Sequence, residues 1–174
     1  MASDRDWCWR YMPAVPSWSS VMSRNLACSV GCAVILVLQT TASGWAADFG
    51  TADEAKAMLE RAVAAVKEDE AKALDMFNSS SGGFKDRDLY VWCANASNGI
   101  ITAHPYMDRG NQLRDIKGKH GTPFGETILQ NATEETIKET TYWWPRPDSD
   151  EPFEKRTYYT KVGDQICGVG YYKG

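Results

Sequence analysis

From position 51 onward the apolar residues fall first at helical and then at strand spacing. Thr51-Ala52-Asp53-Glu54 has the T-x-x-E form of a capping box, in which hydroxyl and carboxylate each take up an N–H that the first helical turn leaves unpaired. Behind it Ala55, Leu59, Ala62, Val66, Ala73 and Phe77 recur at the interval of one helix face, which predicts a long amphipathic helix. Glu68-Asp69-Glu70 interrupts the apolar stripe and marks the place for a kink or break, and Ser79-Ser80-Ser81-Gly82-Gly83 ends it.

From Asp88 the period changes. Leu89-Tyr90-Val91-Trp92-Cys93-Ala94 and Ile100-Ile101-Thr102-Ala103-His104 are strand-rich runs joined by a turn carrying Asn98-Gly99, a hairpin by its turn chemistry. The first run is apolar on both alternating sets, so it needs cover on both faces and belongs in the middle of a sheet. A glycine-punctuated stretch from Pro105 to Ala132 holds a short helix at 123–132 that can cover one face. Three further strands are expected at 136–144, 154–162 and 165–172, separated by Pro145-Arg146-Pro147-Asp148 and by Val162-Gly163-Asp164. One long helix, two strands, an irregular crossover and three strands make an α+β domain with a mainly antiparallel five-stranded sheet.

The segment before this domain reads differently. A basic residue, Arg24, precedes an uncharged stretch with its apolar centre at 33–38, followed by the small residues Ala42-Ser43-Gly44 and Ala46-Ala47. That is the order of an export signal. Residues 22–47 are therefore expected to be a signal peptide, residues 1–21 an over-long start, and residues 48–174 one domain. The competing reading is an uncleaved anchor over 26–42, although Gln39, Thr40 and Thr41 leave the apolar run short of the roughly 20 residues that span a bilayer. At 174 residues the chain has room for one core.

Composition narrows the function classes. The net charge of -4, with lysine and arginine scattered, offers no basic stripe for nucleic acid. Seven Trp and eight Tyr are many for this length and place aromatics in a wall or pocket. Beyond residue 47 two cysteines remain, Cys93 and Cys167, an even pair that in an oxidising compartment suggests one disulfide. Metal ligation would need His104 and His120 to join them, and no C-x-x-C or H-x-x-x-H spacing supports a metal. No nucleophile elbow, phosphate loop or dinucleotide fingerprint is present, so no enzyme and no cofactor is expected.

A set of residues in fixed order carries a family resemblance: Asp88-Leu89-Tyr90-Val91, Asn98-Gly99 to Ala103-His104-Pro105, Gly118-Lys119 to Phe124, Tyr142-Trp143-Trp144-Pro145, Lys155 with Tyr158, and Gly168-Val169-Gly170-Tyr171-Tyr172. Together, over about residues 51–173, they resemble the single Cache domain, type 2. The resemblance implies a PAS-like fold, with the helix on one face of the sheet and a small-molecule pocket on the other, as in the extracytoplasmic ends of chemoreceptors and sensor kinases. It also implies that the first and last strands are neighbours, which would let Cys93 and Cys167 meet. Leu89, Val91, Val169 and Tyr171 would then share their face, with Tyr90, Trp92, Gly168, Gly170 and Tyr172 opposite. No output module follows Lys173-Gly174, so signalling is expected to run through a partner: a membrane sensor, a chemoreceptor or a transporter.

A pocket for a small polar ligand needs an apolar wall and a few convergent polar groups. Tyr142 and Trp144, two apart on one strand, are the wall candidates, while Arg146 and Lys155 offer positive charge to a carboxylate and Tyr158 a hydroxyl. Lys155 and Tyr158 stand an odd number of residues apart, so a regular strand sends them to opposite faces. His104 joins them through its place in the resemblance. The expected function is an exported binding domain for a small organic acid. Its alternatives are a membrane-anchored sensory subunit and a structural or assembly factor without a pocket.

Overall fold

The computed structural model describes residues 48–173. The expected over-long start at 1–21 and export signal at 22–47 lie outside the described residues.

The capping box forms as expected: the Glu54 amide donates to Thr51 Oγ1 (3.3 Å) and the Thr51 amide donates to Glu54 Oε2 (2.8 Å). From it runs α1 (Ala52–Glu68), and after a one-residue break comes α2 (Glu70–Asn78). Asp69 is the break, because its backbone is extended while its side chain accepts from the Lys72 amide and so starts the second helix. The interrupted stripe thus gives two helices in place of one. Both turn their apolar sides inward through Ala55, Met58, Leu59, Ala62, Val66, Ala73 and Phe77.

Among the described residues six strands follow: β1 (Lys85–Asp86), β2 (Leu89–Asn95), β3 (Ile101–Ala103), β4 (Lys138–Pro145), β5 (Pro152–Val162) and β6 (Gln165–Tyr172). The sequence pattern predicts five. The sixth is β1, two residues that pair with the start of β2 and are too short to show any periodicity. The order is β1-β2-β6-β5-β4, with β3 also on β2 and all pairings antiparallel. The first full strand and the last are neighbours, and β2 is central and buried on both faces. Between β3 and β4 lie a short 3-10 turn, Leu113–Asp115, and α3 (Phe124–Asn131).

The sheet divides the interior in two. On the helix side Leu89, Val91, Cys93, Val162, Cys167 and Val169 meet α1 and α2. Cys93 faces Cys167 in register, and the two are joined as a disulfide. On the other side Tyr90, Trp92, Ala94, Ile101, Tyr159 and Ile166 meet Leu113, Phe124, Ile128 and Tyr142.

Candidate functional site

The second interior contains a narrow cleft, partly open to solvent. Tyr90 and Trp92 come from β2, Ile101 and His104 from β3 and its end, Tyr142 and Trp144 from β4. The crossover adds Met107, Leu113 and Ile116, and α3 adds Phe124. The rings lie close together. Phe124 stacks on Tyr142 with centroids 3.7 Å apart, and Trp144 meets both edge-on. Free space inside is accordingly narrow, little more than a water molecule occupies.

Beside the cleft Lys155 is 2 % exposed. Its ammonium donates to Tyr90 Oη at 2.9 Å and sits 4.2 Å from the Tyr90 ring centroid and 4.8 Å from that of Tyr172. Gly170 makes this burial possible, since a Cβ there would stand 2.1 Å from Lys155 Cε. Gly168 does the same for the Trp92 ring, 2.6 Å from its would-be Cβ. The two glycines of β6 are hollows into which a lysine and a tryptophan are set.

Burial lowers the Lys155 pKa, against the opposing fields of Tyr142 and Asp88. Burial also raises the Tyr90 phenol, helped by Tyr106 and Asp88. His104 is pushed down to about 4, by burial first and by the neighbouring Lys155 second. It is therefore neutral near pH 7. Its Nδ1 accepts from the Tyr106 amide at 3.0 Å, which leaves the proton on Nε2 and makes the ring a hydrogen-bond donor in the cleft wall. The Tyr142 hydroxyl pairs with Thr157 Oγ1 at 2.9 Å.

Of the residues picked out from sequence, His104, Tyr142 and Trp144 line the cleft, and Lys155 lies behind Tyr90. Two are placed elsewhere. Tyr158 packs on the helix-side core and stacks on Tyr171, because β5 is regular from Lys155 onward and the odd spacing decides its face. Arg146 follows the end of β4 and folds onto the Phe49, Phe153 and Tyr172 rings at 3.7, 4.5 and 5.2 Å. Strand alternation around the cysteines points to Tyr90 and Trp92. Met107, Leu113 and Ile116 come from irregular backbone with no period to reveal them. Among the described residues no cluster of side chains is arranged to hold a metal.

The family model of "Single Cache domain 2" matches residues 46–172. No curated protein matches the chain. Among solved structures, a methyl-accepting chemotaxis protein from Vibrio parahaemolyticus RIMD 2210633 aligns with a TM-score of 0.57 at 20% identity, over 69% of this chain and 86% of its own. The periplasmic sensor domain of a chemotaxis protein aligns at 0.51 and 20% identity, over 70% and 90%. A structure described as the basis for carboxylic acid recognition by a Cache chemosensory domain aligns at 0.49 and 18% identity, over 68% and 86%. At these identities the likeness is one of fold.

Proposed function

The chain belongs to the single Cache domain 2 family, and from that premise we propose that it is an exported sensory domain that captures a small organic acid in the aromatic cleft. The observation that carries this reading is Lys155. Its ammonium is almost wholly buried beside the cleft, its one hydrogen-bond partner is a phenol, and no carboxylate of the described residues lies within ion-pair distance. A buried cation of this kind is costly until it is neutralised. A carboxylate entering next to Tyr90 supplies the missing charge, with the neutral His104 ring as a second donor and the Tyr142, Phe124 and Trp144 rings around the carbon skeleton. The narrow space favours a compact acid.

In this reading the signal segment at 22–47 is removed and the domain, starting near Asp48, passes its state to a membrane sensor, chemoreceptor or transporter partner. Kinship of fold with chemotaxis sensor domains supports that role. A thermal-shift panel of small mono- and dicarboxylates and amino acids tests the ligand class. Saturating binding raises the melting temperature, and the rise should vanish in Lys155→Met. Fractionation with N-terminal sequencing tests export, and a chain that stays in the membrane with residues 26–42 attached would make it an anchored subunit.

One observation favours a second reading, a structural or assembly role: the aromatic rings nearly fill the cleft. A flat melting temperature across the whole panel would select it.

A further inference from the structure

At the end of the sheet next to Lys155, two buried polar atoms face each other without a hydrogen bond. Asp88 Oδ2 and Arg146 Nε lie 3.9 Å apart and neither has a partner. Opposite charges buried at that separation would ordinarily close to a charge-assisted contact below 3 Å. Something holds this pair short.

Each member grips the entry of α1. Asp88 Oδ1 accepts from the Gly50 amide at 2.7 Å, and the Arg146 guanidinium lies over the Phe49 ring. The backbone there has no slack, because a Cβ on Gly50 would stand 2.1 Å from Leu89 Cγ. Arg87 adds a hydrogen bond to the Phe49 carbonyl at 2.9 Å and one to Glu54 in the first turn of α1. Arg146 also shares the Tyr172 ring with the Lys155 ammonium, so the two cations are one ring apart. Asp88 is the buried acid whose field supports both: it stabilises charged Lys155 at a distance and pairs loosely with Arg146.

We propose that Asp88 and Arg146 form a latch whose closure reports the charge at Lys155 to the start of α1. While the ammonium is uncompensated, Asp88 is drawn between two cations and the 3.9 Å gap stays open. An anion at Lys155 removes that pull and adds repulsion, Asp88 closes on Arg146, and its hold on Gly50 is fixed. The direction of the signal follows from charge, with no contact between ligand and helix. The purpose of the latch rests on the reading of the cleft as an anion site, and its test does not.

Hydrogen exchange at the Gly50 amide in the purified full chain is the readout, with the Val169 amide on β6 as an internal reference. Lys155→Met removes the competing charge without any ligand. The latch then closes and Gly50 exchange slows by roughly tenfold relative to Val169, the effect of one ordinary hydrogen bond. The slowing disappears in the double variant Lys155→Met with Arg146→Gln. Unchanged exchange in Lys155→Met, or slowing that survives Arg146→Gln, overturns the latch. If the methionine variant loses its near-UV dichroism, Lys155→Gln takes its place. Arg146→Gln in the otherwise natural chain leaves the cleft untouched and should speed Gly50 exchange, and a rate equal to the natural chain's also overturns the proposal. Failure of the acid panel leaves these rates as they are, so the two readings fail separately.

Discussion

The two faces of the sheet are built from different materials. Against α1 and α2 the strands present mainly leucine, valine, alanine and a disulfide, with Leu89, Val91 and Val169 fully buried and the Tyr158 and Tyr171 rings only at the margin. Toward α3 and the crossover they present Tyr90, Trp92, Tyr142 and Tyr159, with a buried lysine among the tyrosines. Aliphatic packing of the first kind has no polar atoms to satisfy and contributes stability in proportion to the area it buries. Aromatic rings with polar tips give up part of that gain for directional groups. The helix face is mostly aliphatic while the cleft face buries an ammonium and several hydroxyls among its rings, so substitutions on the two faces should differ in sign as well as size.

The largest effect is expected on the helix face. The Cys93–Cys167 bond ties positions 74 residues apart, and replacing both cysteines by alanine should cost about 4 kcal/mol through the entropy restored to the unfolded chain. Chemical denaturation under non-reducing conditions measures it. Leu59→Ala, in the middle of α1 and fully buried, should cost about 3 kcal/mol through lost transfer energy and a residual cavity. A loss under about 1 kcal/mol in both variants would break the division between the faces.

The cleft face predicts a pH dependence instead. Folded His104 takes its proton only near pH 4, while an unfolded imidazole takes it near 6.5. Between those values the unfolded chain binds more protons, so stability falls as pH falls from about 6.5 to about 4. The loss from this group should be about 2 kcal/mol, after allowance for its partial exposure. His104→Gln should flatten that part of the curve in urea melts run across the window, and a curve of unchanged slope would show that His104 is not the group responsible.

How much of this was legible beforehand differs between the faces for a physical reason. The helix face is periodic: the capping box at Thr51, the break at Asp69 and the β6 run from Gln165 to Tyr172 all follow from spacing. The facing of Cys93 and Cys167 was legible only through the family resemblance, which makes the first and last strands neighbours, and the two residues stand in register. Part of the cleft face is aperiodic. Met107 and Ile116 reach it from loop backbone and Leu113 from a single 3-10 turn, where no interval marks a residue as inward. Arg146 left the site because a charge beyond a strand end goes wherever the turn takes it, here to the aromatic rings beside Gly50. Lys155 was readable as a charge but not as a buried one. Its burial depends on Gly170 lying across the strand pair, and that becomes visible only when β5 and β6 are placed side by side.

The smallest effect is the most discriminating. On the helix face every truncation of a buried side chain should destabilise, whereas Lys155→Met should stabilise by about 1 kcal/mol, because an apolar chain of similar length replaces a buried ion that has no carboxylate within ion-pair distance among the described residues. The gain is held down by the Tyr90 hydroxyl, which loses its 2.9 Å partner and becomes a buried polar group in need of water. Urea melts of the variant beside the natural chain measure the difference, and the acid panel is repeated on both. Higher stability together with loss of every acid-induced shift would mean that Lys155 is kept for recognition at the fold's expense. Lower stability by more than about 2 kcal/mol would mean that the ammonium, through the Tyr90 and Tyr172 rings, is part of what holds the cleft face together, and the contrast between the faces would then be one of material alone.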